Sequence, residues 1–488
     1  MMRMVCAFFQ RLVLGAIALS FSLLLIIYAG SARASELTLK EVLESAREHF
    51  PQVAAAMAAR DARRGDLLAA QGAFDAQATQ STRQRLSGFW DGKTFESSVT
   101  KPLENFGGKV YGGYRISEGE FPIYEDIMFT NSFGELKAGV SLSLLRDREI
   151  DARRVKRMNS AIDIRAADLD LLATRLAVQE AAMRAFYSWQ AAGRQMDIYR
   201  TLLALAKDRD QALSRRVAQG DAPEILRVEN RQILIRREIL MAEADQRFRD
   251  ASTMLSLYLR DDARQPVRVG AERLGAALPE PQIFHAEALL SEALQRLDER
   301  PELRLIDARL ETGMNELMLA QNILKPRLDV DFEVSRDFGD GSITREGTDV
   351  ILGLKLVIPL QTRLGEGQRA RARAEIARMR HERQMQADQL EVELRMIATA
   401  ISTSSRLVEL AEAELAQARL MEKAERTRFE NGESDFFLLN IREERVADAE
   451  VRAIDARLRY AVAEADLFAA TLALAALGLK DFDLQGRG

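Results

Sequence analysis

Two rhythms of hydrophobic and polar positions run along this chain, and each occurs twice. Between residues 364 and 429, Leu394, Ile401, Val408 and Leu415 recur every seven residues, with Leu390, Ile397, Ala411 and Ala418 on a companion seam. That spacing predicts one long helix packed along a coiled-coil seam. A similar stretch over 147–217 carries Leu169, Leu172, Leu176, Met183 and Phe186 on its seam. Neither stretch contains proline. At about 1.5 Å rise per residue, helices of about 65–70 residues reach roughly 100 Å, several times the width of an ordinary domain.

The second rhythm has period two. Leu328, Val330, Phe332 and Val334 alternate with Asp329, Asp331, Glu333 and Ser335, and Val350, Leu352, Leu354, Leu356 and Ile358 resume the pattern up to Pro359. An earlier stretch, about 74–146, alternates in the same way: Val110, Gly112, Tyr114 and Ile116, then Leu136, Ala138, Val140, Leu142 and Leu144. Gly107-Gly108 and Asp91-Gly92 are hairpin-turn candidates. Such strands have one apolar and one polar face. In a water-soluble sheet the apolar face packs on a core; in an outer-membrane barrel it faces lipid and the acids line a wet lumen. Segment 74–86 is polar on both faces and fits lipid poorly.

The two rhythms belong to one unit written twice. AREHFPQVAAAMAARDARRGDLLAAQGA (46–73) aligns with RLDERPELRLIDARLETGMNELMLAQNI (296–323), placing Pro51 on Pro301, Ala58 on Ala308 and Ala70-Gln71 on Ala320-Gln321. RVAQGDAPEIL (216–226) aligns with RFENGESDFFL (428–438), placing Arg216 on Arg428, Gly220 on Gly432 and Leu226 on Leu438. Each unit therefore reads as a short helix, strands, a very long helix, a glycine turn and a returning helix. The first spans 35–259 with strands about 74–146, and the second spans 286–479 with strands about 327–359. Residues 260–285, with Pro266, Pro279 and Pro281, link them, and 480–488 form a tail. The returning helices are expected to start near Ala222, with Pro223 in the first turn, and at Ser434 as N-cap.

Composition narrows the function. Residues 1–34 read as a secretory signal: two arginines within 1–11, an apolar run over 12–28, and Ala32-Arg33-Ala34 as an A-x-A cleavage site. The alternative, an uncleaved anchor, would have an apolar run near the minimum for a bilayer span. The single cysteine, Cys6, lies within that segment, so no disulfide framework or cysteine metal site is expected. Net charge is −5 with both signs interspersed, which argues against a nucleic-acid partner. His49, His285 and His381 have no metal-ligand spacing. No nucleotide-binding or hydrolase motif is present, and no enzyme activity and no cofactor are expected.

With the order, spacing and duplication of these motifs in hand, the chain over 37–479 resembles the TolC-like outer-membrane factors. The segments carrying the resemblance are LTLKEVLESAREHFPQVAAA and its echo EALLSEALQRLDERPELRLIDARL, the turns RVAQGDAPEIL and RFENGESDFFLLNIRE, and the join GLKLVIPLQTRLGEGQRARARAE. The resemblance implies a mostly α fold with membrane β: a homotrimer whose duplicated hairpin repeats build a long α-barrel in the periplasm, continuous with a β-barrel in outer-membrane lipid. It implies the exit channel of a tripartite efflux or type I secretion system, docked at its periplasmic tip to an adaptor protein and through it to an inner-membrane transporter. The linker would lie in the equatorial collar. Rival readings are a periplasmic membrane-fusion adaptor, which would have one hairpin, and a structural coiled-coil protein, which needs no alternating strands.

Several residues carry these expectations. Arg216, Gly220, Leu226, Arg428, Gly432 and Leu438 would sit at the tip. Gly220 and Gly432 end the long helices, where glycine allows the left-handed conformation. Arg216 and Arg428 are either docking contacts or cations favourably placed at helix C-termini. Family members often carry an acid six positions after the tip glycine; here those positions are Leu226 and Leu438, with Glu229 nearby, so an acidic tip ring is not implied. Asp329, Asp331 and Glu333 would form acidic rings in the barrel lumen, or simply a solvated strand face. Phe121, Tyr124, Phe129, Phe133 and Trp90 are either interfacial aromatics or an outer loop. The first strand stretch holds an extra hairpin near 94–117, which gives 12 or 18 strands in a trimer according to whether it joins the wall.

Overall fold

The computed structural model describes residues 35–275, 278–281 and 286–479. The signal segment 1–34, His285 and the tail 480–488 lie outside the described residues. The described residues open with α1 (Leu39–His49) and α2 (Pro51–Gln71), separated at Pro51 because proline supplies no amide hydrogen to continue α1. Four strands follow: β1 (Gln77–Gln84), β2 (Lys93–Pro102), β3 (Gly108–Glu118) and β4 (Glu135–Ser143). Helix α3 (Ala152–Ala218) runs the full length of the molecule's helical part, and α4 (Glu224–Leu255) returns. The second repeat supplies α5 (Ala286–Gln295), α6 (Pro301–Ile323), β5 (Arg327–Asp337), β6 (Asp349–Val357), α7 (Arg363–Glu430) and α8 (Phe436–Ala470).

All six strands form one antiparallel sheet in chain order, β1 to β6. The repeats are joined where β4 pairs with β5, from Glu135 opposite Asp337 to Ser143 opposite Asp329. The polar segment β1 is held by backbone pairing to β2 from Gln77–Thr100 to Gln84–Lys93, although its side chains are exposed throughout. Gly107 makes the β2–β3 turn possible: an added Cβ would lie 1.8 Å from the Asp147 carbonyl oxygen.

Several helix boundaries differ from the sequence reading for local reasons. Helix α3 starts at Ala152 rather than near 147 because Asp147 takes a positive φ of 68°. Asp151 caps it, accepting from Arg154 N at 2.9 Å, and the Arg154 guanidinium donates back to the Arg148 carbonyl at 2.8 Å. At α8 the N-cap is Asp435, whose Oδ1 accepts from Leu438 N at 2.8 Å; Ser434 instead turns its hydroxyl to Glu425. Pro223 occupies the N-cap of α4, one position outside the helix. Helix α8 stops at Ala470, and the chain then folds so that Leu477 is wholly buried.

The helices pack in the lateral order α4–α3–α8–α7, with α2 and α6 flanking α3 and α7 nearer the sheet. The core lies where both repeats meet the 260–275 linker. Trp189 is fully buried there, with Phe186 at 6.1 Å and Phe248 at 6.3 Å between ring centroids. The linker's Leu274 presses on Gly193, and Arg273 ties it to Glu41 of α1 at 2.8 Å. Helix α8 contributes mostly alanine to its buried face, including Ala453, Ala461, Ala465 and Ala469. Small side chains let α8 approach α3 and α7 closely at once.

Candidate functional site: an inside-out sheet and a braced helical tip

The sheet reverses the usual distribution of polarity. Along β5 and β6 the apolar face carries Phe332, Leu352, Leu354 and Leu356, and Leu352 and Leu354 are 68% and 70% exposed. The polar face is the covered one: Asp329 and Ser335 are only 6% and 5% exposed. A sheet in water buries its apolar face, because transferring apolar area out of water is the main source of stability. Among the described residues nothing covers that face.

The polar face is a network of paired charges. Arg115 meets Glu135 at 2.6 Å, and Lys137 meets Glu96 at 2.6 Å. Asp329 accepts from Ser143 Oγ at 2.8 Å and pairs with Arg327 Nε at 2.7 Å. Tyr111 donates its hydroxyl hydrogen to Glu333 at 2.7 Å. Asp331 is half-buried on the same face, opposite Gly353. The three acids are therefore neighbours on one face, but Asp329 and Glu333 are engaged by partners from other strands. The extra hairpin β1–β2 continues the sheet through the full length of β3. Its apolar-side positions weaken toward the edge, with Ala78, Gln80 and Thr82 on β1.

At the far end of the helices the two turns are built alike. Gly220 and Gly432 take φ of 81° and 78°. In each turn the glycine N–H donates three residues back, to Val217 O and Phe429 O at 3.0 Å, and the next residue donates five back, Asp221 to Arg216 O at 2.9 Å and Glu433 to Arg428 O at 2.8 Å. This pair of bonds is the Schellman termination, which places a left-handed residue after the helix. Arg216 and Arg428 thus match because each occupies the third-last helical position. Both side chains are exposed, and Arg428 lies 3.9 Å from the buried Glu425. No atom lies within 4 Å of a Cβ added at either glycine, so conformation rather than crowding selects glycine. Leu226 and Leu438 are half-buried in the first turns of the returning helices.

Just behind the tip, four helices converge on one carboxylate, a feature the sequence reading missed. Glu443 of α8 accepts from Arg209 of α3 at 2.6 Å, from Arg237 of α4 at 3.4 Å and from Arg426 of α7 at 3.3 Å. Asn440, one turn earlier, accepts from Arg209 at 2.9 Å, and Arg209 also stacks 5.5 Å over Phe436. Arg237, Asn440 and Glu443 are all buried. Burial pushes the Arg237 guanidinium below the ordinary arginine value, and Glu443 opposes that shift. The available signal was the pair Asn440 and Glu443, polar residues three apart on a seam continued by Ala447. A groove of about 240 Å³ beside the cluster is lined by Leu202, Ile233, Arg236, Leu240, Phe437 and Ile441.

No family model and no curated protein matches the sequence. Solved structures do. The MtrE outer membrane channel of Neisseria gonorrhoeae, in its open state, superposes with a TM-score of 0.63 at 13% identity, covering 89% of this chain and 88% of that one. The Campylobacter jejuni CmeC outer membrane channel gives 0.62 at 13% identity over 92% and 90% of the two chains. A membrane protein from Pseudomonas aeruginosa gives 0.61 at 16% identity over 90% and 94%. The chain has the TolC-like outer-membrane channel fold. This chain spans nearly the whole length of these structural neighbours.

Proposed function

We propose that the protein is a TolC-like outer-membrane factor, the exit channel of a tripartite efflux or type I secretion system that works as a homotrimer. The observation that carries this reading is the inside-out sheet, whose apolar face is bare while Asp329 and Glu333 on the polar face are hydrogen-bonded across strands. In lipid every backbone group must be paired, so an open six-stranded sheet needs its edges closed by other copies. Six strands from each of three chains give an eighteen-stranded barrel with β6 of one subunit beside β1 of the next. The helical wall has matching needs. Ile225, Val228, Ile235 and Ile239 lie exposed on α4, and Val392, Met396, Leu410 and Met421 on α7, as two unpartnered stripes at the wall's two edges. Packing α7 of one copy on α4 of the next covers both.

Cargo passes through the α-barrel and leaves by the β-barrel, and the partners supply the energy. The tip turns at Gly220 and Gly432, with Arg216, Leu226, Arg428 and Leu438 beside them, form the docking end for a periplasmic adaptor and its inner-membrane transporter. The signal at 1–34 directs the chain to the periplasm, and outer-membrane lipid covers the apolar sheet face. Asp329, Asp331 and Glu333 line the lumen. Arg327 pairs with Asp329, which leaves Asp331 and Glu333 to favour cations in the barrel.

A substitution at the lipid face tests the reading. Leu354→Arg at a water-exposed site changes stability by no more than about 0.5 kcal/mol. At the bilayer midplane it costs about 2–4 kcal/mol. The expected result is a clear loss of folded, membrane-inserted trimer in outer-membrane fractions, with Asp331→Asn close to the unaltered protein. Normal assembly of Leu354→Arg, or an unaltered protein that is soluble and never inserts into lipid, would refute the channel.

A further inference from the structure

Three loops lie at the end of the sheet remote from the helices: 85–92, 119–134 and 338–348. They are cross-linked into one cap. Arg85 meets Glu125 at 2.6 Å, and Glu120 N donates to Asp91 Oδ1 at 2.8 Å. Ser132 N donates to Asp340 O at 3.1 Å, Phe133 N to Phe338 O at 2.9 Å, and Ser342 N to Asn131 Oδ1 at 2.9 Å.

The anchors of loop 119–134 lie on the polar face of the sheet. Ser117 and Thr130 exchange hydrogen bonds, each backbone N–H donating to the other's hydroxyl at 2.9 and 2.7 Å. Asn131 N donates to Asp337 Oδ1 at 3.2 Å, and Arg115 Nη1 reaches Met128 Sδ at 4.0 Å. Arg345 stacks 5.6 Å over Phe129 while lying 3.8 Å from Asp337. Arg115, Ser117 and Asp337 share the face that bears Glu333 and Asp329. The loop therefore folds over the polar face, where it buries Arg115, Thr130 and Asn131. Its crest is apolar and bare: Ile123, Tyr124 and Ile127 are 92%, 79% and 70% exposed.

We infer that the crest Ile123–Tyr124–Ile127 is a self-association surface that meets its two sister copies on the channel axis and closes the outer mouth of the barrel. This rests on the proposed trimer. In a closed ring the polar face is the lumen, so a loop folded over that face projects into an enclosed aqueous space. Lipid is absent there, and the surfaces repeated at the same height are the crests of the other two subunits. An exposed apolar cluster on a tied framework marks a contact surface. Apolar side chains meeting across a pore exclude water and stop ion flow without any charged ring. The Arg85–Glu125 pair then acts as the latch holding the crest to the adjoining loop of its own subunit.

The sequence makes the test clean, because Cys6 in the signal segment is its only thiol. Tyr124→Cys in the membrane-inserted full protein, treated with copper phenanthroline, is expected to give disulfide-linked pairs of subunits, two of the three in each trimer. Leu352→Cys, on the apolar face, is expected to give none. A second measurement reads the mouth itself in intact cells. A lumen thiol, Asp331→Cys, is expected to be shielded from a several-kilodalton polyethylene glycol maleimide and to become reactive when Ile123→Asn and Ile127→Asn are added. Readily labelled Tyr124→Cys that stays unlinked, or a lumen thiol equally reactive with the native crest, overturns the outer closure. Failure of the channel reading is distinct: the protein with native loops would form no lipid-inserted trimer before any oxidant or label is applied.

Discussion

Replacing Glu443 by glutamine tests how the helical tip is held together. Three guanidiniums converge on this one carboxylate, and two of the groups involved, Arg237 and Glu443, each have a side-chain exposure of 4%. Removing one partner of a buried ion pair leaves an uncompensated charge and destabilises by about 3–5 kcal/mol. The lower end applies here. Arg209 keeps its bond to Asn440 and its stack on Phe436, and Arg426 is 44% exposed and keeps its pair with Glu422. Arg237 is the group left stranded, because its other bonds go to the Leu202 carbonyl at 3.0 Å and to Asn440 at a long 3.4 Å. The predicted effect is thus about 3 kcal/mol, local to α4 and α8, or roughly a hundredfold in an opening equilibrium.

Amide hydrogen exchange reads such local opening directly. In Glu443→Gln, exchange should quicken by about that factor in the parts of α4 and α8 around Arg237 and Glu443, with the sheet unaffected. Adding Arg237→Met should recover most of the protection, because replacing both partners by apolar or neutral groups removes the stranded charge. The interaction between the two substitutions should be at least about 1.5 kcal/mol. Unchanged exchange in the single variant, or purely additive effects in the double, would show that the cluster is a solvated set of charges and not the brace of the tip.

Two further predictions concern pH and the tip turns. Glu464 is buried between Tyr460 and Tyr187, and burial raises its carboxyl above the ordinary glutamate range. The folded state therefore holds this proton to higher pH than the unfolded state. Its contribution is fully present below the ordinary glutamate range and is lost as pH rises toward the raised value; Glu464→Gln should flatten that slope in thermal melts. At the tip turns, Gly220→Asn and Gly432→Asn should be well tolerated, because asparagine accepts the left-handed conformation and the space is open. Gly220→Val and Gly432→Val should each cost at least about 1–2 kcal/mol by local exchange. Equal behaviour of Asn and Val would show that the glycines are not selected by backbone conformation.

The long-range plan of the molecule was legible because it is periodic. Seven-residue seams became α3 and α7, period-two stretches became β3 to β6, the extra hairpin near 94–117 became β2 and β3, and matching glycines became matching Schellman turns. The misses share one physical cause, which is competition between partners that local sequence cannot rank. Ser434 and Asp435 are both good caps; Asp435 won because Glu425, nine residues before Ser434, captured the serine hydroxyl. Segment β1 has no amphipathic pattern because backbone bonds to β2 define it and its side chains meet no core. The Glu443 cluster and the inward fold of loop 119–134 depend on pairs such as Arg209 with Glu443 and Asn131 with Asp337, more than two hundred positions apart. Only the polar residues Asn440 and Glu443 on an otherwise apolar seam marked that place.

The two open ends of the subunit constrain its assembly more tightly than either end alone. The sheet runs from β1 to β6, and the helical wall runs from α4 to α7. The first repeat supplies β1 and α4, and the second supplies β6 and, six residues later, the start of α7. Both layers thus present first-repeat elements at one edge and second-repeat elements at the other. A head-to-tail contact that joins β6 to β1 carries α7 toward α4 by the same rotation, so one operation covers the unpaired strand edges and both exposed stripes. Heterologous contacts of this kind either close as rings or grow as filaments. For a sheet in lipid, as proposed, closure removes every edge whereas a filament always leaves two, which favours the ring.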